Sequence, residues 1–219
     1  MRPGVTADAA VPLRVCMRDR IRDVLVARIL DGSYPAGTKL KELPLAREFN
    51  VSQAPIREAL RELEGSGLVS CERYRGTRVR GADLTELRES YELRALIELR
   101  SVELAAPYAP QALAQLAGCL HDMSAAVARE DRERYLDAAL RFHRDLVRGS
   151  GNGTFLRTWD ALHWEVRGRI ALRRVAAQRH GLKPLLALHK SLLARLRAHD
   201  IAGATRTLKK LFALVSALP

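Results

Sequence analysis

The spacing of apolar residues changes near residue 80 of the 219-residue chain. Before that point, three segments show helical spacing and two runs alternate between apolar and polar residues; they lie at about 18–30, 43–49, 53–64, 68–72 and 77–80. Turn residues such as Gly32, Gly37 and Gly76 separate them. Residues 16–80 are therefore predicted to form two helices, a tight turn, a third helix and a β-hairpin. Residues 1–15 are predicted to be a flexible N-terminal tail.

Beyond residue 80 the apolar period is helical throughout. One long helix starts near Leu84 and ends before Pro107. Breaks rich in Gly, Pro and Asp then predict five further helices, at about 111–129, 131–148, 153–180, 184–199 and 201–217. Residues 84–217 are thus predicted to form an all-α bundle of about six helices, which makes the whole fold mainly α.

The charge balance indicates an anionic partner. The chain has 37 Lys and Arg against 25 Asp and Glu, a net charge of +12. An excess of this size suits a polyanion, most simply double-stranded DNA. Both parts of the chain carry a positive excess, so charge alone does not say which part binds it.

Composition also excludes several classes of protein. No apolar stretch approaches the roughly 18 residues of a membrane-spanning helix, and the first residues lack the apolar core of a secretory signal. The three cysteines, Cys16, Cys71 and Cys119, are odd in number and far apart, which argues against a disulfide framework or a zinc module. No membrane partner and a cytoplasmic location are predicted.

The third predicted helix has the residues of a DNA-reading element. Ser52 is placed to cap its first turn, and Gln53, Ala54 and Arg57 fall on the exposed face. An arginine can fork onto guanine, a glutamine can pair with adenine or bind a phosphate, and the free amides at the start of a helix suit a phosphate. Helix, turn and helix in this order can place those residues in the major groove.

The predicted hairpin adds a basic tip. Arg73, Arg75 and Arg78 can lie along a phosphate strand or reach into the minor groove, and Gly76 allows a close backbone approach. The alternative is a small helical domain with a solvated basic face. A three-helix unit followed directly by a basic hairpin is the more specific pattern, and it favours a winged helix-turn-helix.

The segments PAGTKL, LAREFNVSQAPIREALRELEGSGLV and RGTRV carry a resemblance to the winged-helix domain of GntR-family bacterial transcription regulators. By position, that resemblance implies DNA contacts from a set of seven residues, namely Leu43, Ser52, Gln53, Ala54, Arg57, Arg75 and Gly76. The chain departs from the family pattern at Gln53, where arginine is usual, at Ala54, where a polar residue is common, and at Leu43, where some members have arginine. These differences leave the operator sequence open.

The long helix with the later segments RFHRDLV and ALHKSLL is similar to the FCD ligand-binding domain of FadR-like members. Many members hold a divalent metal with one Asp and three His, and the resemblance aligns His143 and His189 with two of those histidines. The aspartate position is Ala139 and the third histidine position is Leu211. Two imidazoles without a carboxylate are a poor divalent site. No metal cofactor is therefore predicted, with His143 and His189 as remnant ligands; no spacing argument favours His163 or Cys119 as substitutes.

Both histidines lie on apolar helical stripes, where they are either core histidines or walls of an effector pocket. Arg94 interrupts another apolar stripe and can bind a ligand carboxylate or pair with Glu98 one turn further on. Ala139 and Leu211 would make such a pocket apolar, so an aliphatic, aromatic or acyl ligand is as compatible as a small carboxylate. A basic set is assigned to a solvated helix face, namely Arg167, Arg169, Arg173, Arg174 and Arg179.

Three functions follow as alternatives. The favoured one is a ligand-responsive repressor or activator that binds a pseudo-palindromic operator as a homodimer, with a hinge at 78–83 around Gly81. The second is a DNA-binding regulator whose helical domain only dimerises. The third is an enzyme using His143 and His189, for which the sequence offers no activated nucleophile, phosphate loop or complete metal set.

Overall fold

A computed structural model describes residues 17–72, 76–80, 83–176 and 181–216. The tail predicted over residues 1–15 lies outside this range, as do Arg73, Arg75 and the proposed hinge residue Gly81. The N-terminal part has the elements α1 Met17–Leu30, β1 Lys39–Leu40, α2 Glu42–Glu48, α3 Gln53–Gly65, β2 Val69–Glu72 and β3 Gly76–Val79. This is the predicted order with one addition, the short strand β1.

The three strands form an antiparallel sheet in the order β1-β3-β2, with Lys39 opposite Arg78 and Ser70 opposite Arg78 on the other side. Helix α3 packs on the other helices through the apolar stripe that the sequence predicts for it. Ile56, Leu60 and Leu63 are all buried. The opposite face of α3 is thereby left to solvent.

Ser52 is the N-cap residue of α3, as predicted, but its hydroxyl accepts no hydrogen bond from the helix. The expectation of a side-chain cap at this position was wrong. The helix instead has Pro55 in its first turn, a residue that needs no amide partner. The hydroxyl and the first amides of α3 are therefore available to an external acceptor.

The C-terminal part is helical throughout the described residues. It contains α4 Leu84–Leu104, α5 Pro110–Ala128, α6 Arg132–Arg148, α7 Gly153–Asp160, α8 Trp164–Ala176, α9 Lys183–Arg197 and α10 Ile201–Ser216. Asp83, Asp131 and Asn152 each accept amide hydrogen bonds at the start of a helix. These seven helices replace the predicted six, because the segment 153–180 is not one helix. It breaks after Asp160, and His163 in the break has a positive φ of 50°.

Helix α8 joins the two parts of the chain. Val166 and Ile170 belong to the apolar core of the winged helix, whereas Ala171 and Leu172 belong to the core of the bundle. Arg167 lies between them and is buried. Its assignment to a solvated face was wrong, because that side of α8 is covered by the other part of the chain; Arg169 is only partly exposed. The side chains of Arg173, Arg174 and Arg179 lie outside those that the structure describes.

Candidate nucleic-acid interface and ligand cavity

The amino end of α3 is an exposed polar surface of the winged helix. Ser52, Gln53, Ala54 and Arg57 are all exposed, on the side opposite the buried stripe. None of them faces the helical bundle, so a duplex can approach them. The structure thus brings four of the sequence-predicted DNA contacts together on one helix end, where free amides also favour a phosphate.

Arg57 is held by a neighbour in the free chain. Its Nη2 and Nε atoms donate hydrogen bonds to the Glu42 carboxylate, at 2.8 and 3.2 Å. Those hydrogen bonds lower the pKa of Glu42. Leu43, next to Glu42 on α2, is exposed. Glu42 on α2 therefore holds the Arg57 guanidinium outside the core. A guanine edge that bound Arg57 would replace this contact with Glu42.

The structure also describes β3, the hairpin strand that begins next to the tip. Gly76 has a φ of +81°, a conformation that favours glycine, and a side chain there would approach Lys39 Cε to 3.3 Å. Arg78 is exposed and donates from Nη1 to the Gly37 carbonyl at 3.1 Å. Arg75 lies outside the described residues. Gly76 and Arg78 therefore remain predicted contacts on the sheet beside α3.

A cavity of about 50 Å³ lies inside the bundle, between α4, α6, α8, α9 and α10. All five residues that the sequence assigned to an effector pocket line it; they are Arg94, Ala139, His143, His189 and Leu211. They come from four helices, α4, α6, α9 and α10. The structure thus places the two histidines, the arginine and the two aliphatic replacements around one cavity.

A buried hydrogen-bond chain runs along this cavity. Arg94 Nε donates to Glu98 Oε1 at 2.6 Å, and Trp159 Nε1 donates to the same oxygen at 3.0 Å. The other oxygen, Oε2, is 2.5 Å from His143 Nδ1. The Nε2 atoms of His143 and His189 are 3.2 Å apart, and His189 Nδ1 is 2.7 Å from the Leu185 carbonyl oxygen.

Hydrogen-bond geometry assigns the protons of this chain. The Leu185 carbonyl accepts only, so His189 Nδ1 donates and its Nε2 is the acceptor. His143 Nε2 must then donate to His189. Burial by itself would raise the pKa of Glu98, but the charges of His143 and Arg94 outweigh burial and hold that pKa at about 2. Glu98 and His143 share one proton across their 2.5 Å contact, and burial lowers the pKa of His143 although the charge of Glu98 raises it.

Sequence reasoning considered Glu98 only as a partner of Arg94, and it missed Trp159 in the hydrogen-bond chain and Tyr135 on the cavity wall. Trp159 reaches Glu98 from 61 positions away along the chain. Tyr135 lines the cavity with a buried hydroxyl. The one signal available was that Tyr135 lies one turn before Ala139 and two before His143 on the same helical face.

The side chains around the cavity do not fit a divalent ion. Ala139 and Leu211 offer no donor atom, and within the described ranges no group of three or more His, Cys, Asp or Glu is placed to hold a metal. Cys119 lies beside Asp145 and His163 beside Gly65, so neither reaches the cavity wall. The predicted absence of a metal cofactor stays a prediction.

The chain matches two family descriptions. The one described as bacterial regulatory proteins of the gntR family matches residues 17–79, and the FCD domain matches residues 89–214. The chain belongs to the GntR family and carries an FCD domain. Its relatives are transcriptional regulators, and this GntR-family regulator is accordingly not an enzyme. The histidine-based catalysis considered from the sequence is set aside.

Two relatives are named as repressors. The probable D-xylose utilization operon transcriptional repressor of Paenarthrobacter nicotinovorans is 33% identical over 159 residues, which are 73% of this chain and 70% of that protein. The gluconate operon transcriptional repressor of Bacillus licheniformis is 31% identical over 144 residues, 65% of this chain and 59% of that protein.

Solved structures show the same fold. McbR/YncC of E. coli superposes with a TM-score of 0.68 at 24% identity, over 90% of this chain and 94% of that one. A transcriptional regulator GntR from Rhodococcus sp. RHA1 gives 0.68 at 23% identity, over 91% and 95%. Of the helices that the structure describes, none has the length and apolar character needed to cross a membrane.

Proposed function

We propose that this GntR-family regulator is a cytoplasmic repressor that binds a pseudo-palindromic operator as a homodimer and responds to a small molecule in the helical cavity. One observation carries the DNA-binding part: the exposed amino end of α3, with Gln53 and Arg57 turned away from both cores. Arg57 would read a guanine and Gln53 an adenine or a phosphate. Ser52, Gly76 and Arg78 would contact the backbone and fix the register.

The proposed dimer contact lies on α4. Three of the five large apolar side chains exposed in the described part of the chain are on this helix, at Leu93, Leu96 and Leu104. Exposed Glu89 and Arg100 flank Leu93 and Leu96. The positions 89, 93, 96 and 100 repeat with spacings of four, three and four residues, which is the period of a helix-to-helix seam.

Charge complementarity along this seam favours a second copy of the same chain. An antiparallel two-fold pairing of α4 with itself, centred between residues 94 and 95, sets Leu93 against the partner's Leu96. The same pairing sets Glu89 against the partner's Arg100. Such an isologous contact is closed by its symmetry and yields a dimer.

The dimer contact is tested by the mass of the protein in solution. We expect the chain to sediment at twice its mass of 24.4 kDa. Leu96 is 68% exposed, so Leu96→Glu keeps the fold and is expected to give the monomer mass. Ala114→Glu adds the same charge to an exposed position of α5 and is expected to remain dimeric. A dimeric Leu96→Glu protein would overturn this interface.

Helix α8 is the proposed link between cavity and DNA. Gly168, Ala171 and Leu172 line the cavity, while Arg167 donates from Nη2 to the Gly65 carbonyl at the end of α3, at 3.4 Å. Arg169 bridges Asp23 on α1 and Glu133 on α6, at 3.1 and 2.9 Å. A shift of α8 on ligand binding would move α1 and α3 together.

The experiment that tests the proposal is selection of bound sequences from random duplex DNA by the full chain. Two inverted half-sites with centres about one helical turn apart, or closer, are expected. A single asymmetric site would contradict the homodimeric reading. A bound effector is expected to change the operator affinity by roughly 5- to 150-fold, the usual range of coupling between sites.

A second candidate function has support from the size of the cavity. At about 50 Å³, the cavity is far below the volume of most ligand pockets. A bundle that only dimerises needs no ligand in this cavity. A thermal-shift screen of small metabolites separates the two candidates, since stabilisation by a ligand favours the sensor and a flat screen favours the dimerisation module.

A further inference from the structure

Arg57 and Glu42 form a donor–acceptor pair on the surface that is proposed to face DNA. Arg57 Nη2 donates to Glu42 Oε2 at 2.8 Å, and Nε is 3.2 Å from both carboxylate oxygens. The side chain of Arg57 is 52% exposed and that of Glu42 is 33% exposed, so both reach the solvent that a duplex would displace. A base that approaches Arg57 therefore approaches Glu42 as well.

Binding of Arg57 to a guanine takes away the donor that Glu42 has in the free chain. Guanine O6 and N7 then accept from the guanidinium in place of the carboxylate. The hydrogen bonds from Arg57 lower the pKa of Glu42, and so does the charge of Arg61, an exposed residue one turn further along α3. An ionised carboxylate only accepts hydrogen bonds, and it is costly to desolvate without a donor. Glu42 therefore needs a new donor on the DNA.

The major-groove edge of a G·C base pair offers that donor beside the acceptors for Arg57. Its groups run in the order N7, O6 and N4, which are two acceptors of guanine followed by the amino donor of cytosine. Arg57 and Glu42 present the complementary order, a fork of donors beside one acceptor group. An A·T pair runs acceptor, donor, acceptor, and thymine O4 would face the carboxylate with a second acceptor. The residue pair therefore matches G·C and not A·T.

We propose that Glu42 is a base-reading residue, whose carboxylate accepts from the N4 amino group of the cytosine paired with the guanine that Arg57 binds. The assignment rests on the proposed function, and within it on the role of Arg57 as the reader of a guanine. It extends the reading surface from α3 to α2, where Leu43 next to Glu42 is 49% exposed. Two residues from two helices then read the two bases of one pair.

N4-methylcytosine tests this contact, because it still pairs with guanine but has a methyl group in place of the N4 hydrogen that faces the major groove. The full chain is titrated with two duplexes of the selected operator sequence. They differ only in cytosine or N4-methylcytosine opposite the guanine whose preference is lost in Arg57→Ala. We expect methylation to weaken binding by the wild type about tenfold, through loss of one hydrogen bond to a charged group. Equal binding of the two duplexes would overturn the proposal.

Two alanine variants assign the effect of methylation to Glu42. Glu42→Ala removes the carboxylate, so methylation is expected to change its operator affinity by less than about twofold, as for two groups that are not in contact. Glu58→Ala removes an exposed carboxylate next to Arg57 on α3 and lowers the negative charge equally. It is expected to keep the wild-type loss on methylation. A loss in Glu42→Ala as large as in the wild type would show that the methyl group acts elsewhere, and would overturn the proposal.

The role of Glu42 and the proposed function can fail separately. Full operator affinity in Arg57→Ala would overturn the proposed role of α3, and the role of Glu42 with it. A loss of affinity in Arg57→Ala together with equal binding of the two duplexes would support the proposed role of α3 and overturn only the role of Glu42.

Discussion

At the scale of single residues, Glu98 controls the arrangement of the cavity wall. Its carboxylate accepts from Arg94 and Trp159 and lies against the imidazole of His143, all within 3.0 Å. The sequence offered two alternatives for Arg94, a salt bridge or a ligand contact. In the structure, Arg94 does both: it forms the salt bridge with Glu98 through Nε, and its side chain also lines the cavity.

Removing the charge of Glu98 is expected to destabilise the bundle. Glu98→Gln leaves Arg94 buried without a counter-charge, and breaking a buried pair in this way costs about 3–5 kcal/mol. Glu103→Gln removes an exposed carboxylate from the same helix, where it pairs with Arg100, and is expected to cost less than about 1 kcal/mol. Urea unfolding measures both. Equal losses would show that Glu98 is not the centre of the network.

The buried imidazole of His189 is expected to make the fold sensitive to acid. Burial lowers the pKa of His189 to about 3, helped by the charge of His143. An unfolded histidine titrates near 6.5, so the unfolded chain takes up this proton first. Between pH 6.5 and about 3, the free energy of unfolding therefore falls by about 1.4 kcal/mol for each pH unit because of this residue alone. Above pH 6.5, His189 is neutral in both the folded and the unfolded chain, and the loss is absent.

The comparison of two glutamine variants isolates that contribution. His189→Gln is expected to reduce the slope of unfolding free energy against pH between pH 6.5 and 4. The reduction corresponds to about one proton fewer taken up on unfolding. His121→Gln, at an exposed position of α5, is expected to keep the wild-type slope. A wild-type slope in His189→Gln would mean that His189 is not held neutral by the fold.

At the scale of elements, apolar periodicity predicted the helices well and failed where tertiary contacts decide. The pattern from 153 to 180 is continuous, yet the chain breaks between α7 and α8 so that Trp159 and Trp164 both reach the core beside Arg94. β1 has two residues and depends on pairing with β3, which no local pattern reveals. The missing cap of Ser52 is likewise a matter of side-chain geometry that residue type does not fix.

Helix α8 offers an element-scale prediction through its glycine. A Cβ at position 168 would come within 2.7 Å of Leu136 Cδ1 on α6, at the cavity wall. Gly168→Ala is therefore expected to shift α8 and to change operator affinity, together with a loss of stability of about 1–3 kcal/mol. Operator titration and urea unfolding of the same protein measure the two effects.

Gly118 supplies the matched control. It lies in α5, and a Cβ there would meet nothing within 4 Å. Gly118→Ala is expected to raise the free energy of unfolding by about 0.5–1 kcal/mol and to leave operator affinity unchanged, because alanine favours the helix. If both variants changed operator affinity alike, the proposal that α8 links the cavity to the DNA-binding part would be contradicted.

At the scale of the whole molecule, the chain joins a winged helix to a helical bundle that contains a cavity, and one helix, α8, packs into both cores. The family, the mainly helical fold and the five cavity residues were accessible from sequence, because motifs and periodicity report on them directly. Trp159, Tyr135 and the contacts of α8 were not, since they depend on how distant segments pack. The residue roles at α3 and in the cavity remain predictions of this arrangement.

The central claim is that the amino end of α3 reads the operator, and a binding titration tests it most directly. Arg57→Ala removes an exposed arginine paired with Glu42, whereas Arg134→Ala removes an exposed arginine paired with Asp131 on the bundle. Both variants lower the net charge equally. We expect Arg57→Ala to lose at least about tenfold in specific operator affinity while keeping its unfolding profile, and Arg134→Ala to bind as the wild type does. Full operator affinity in a folded Arg57→Ala protein would contradict the account.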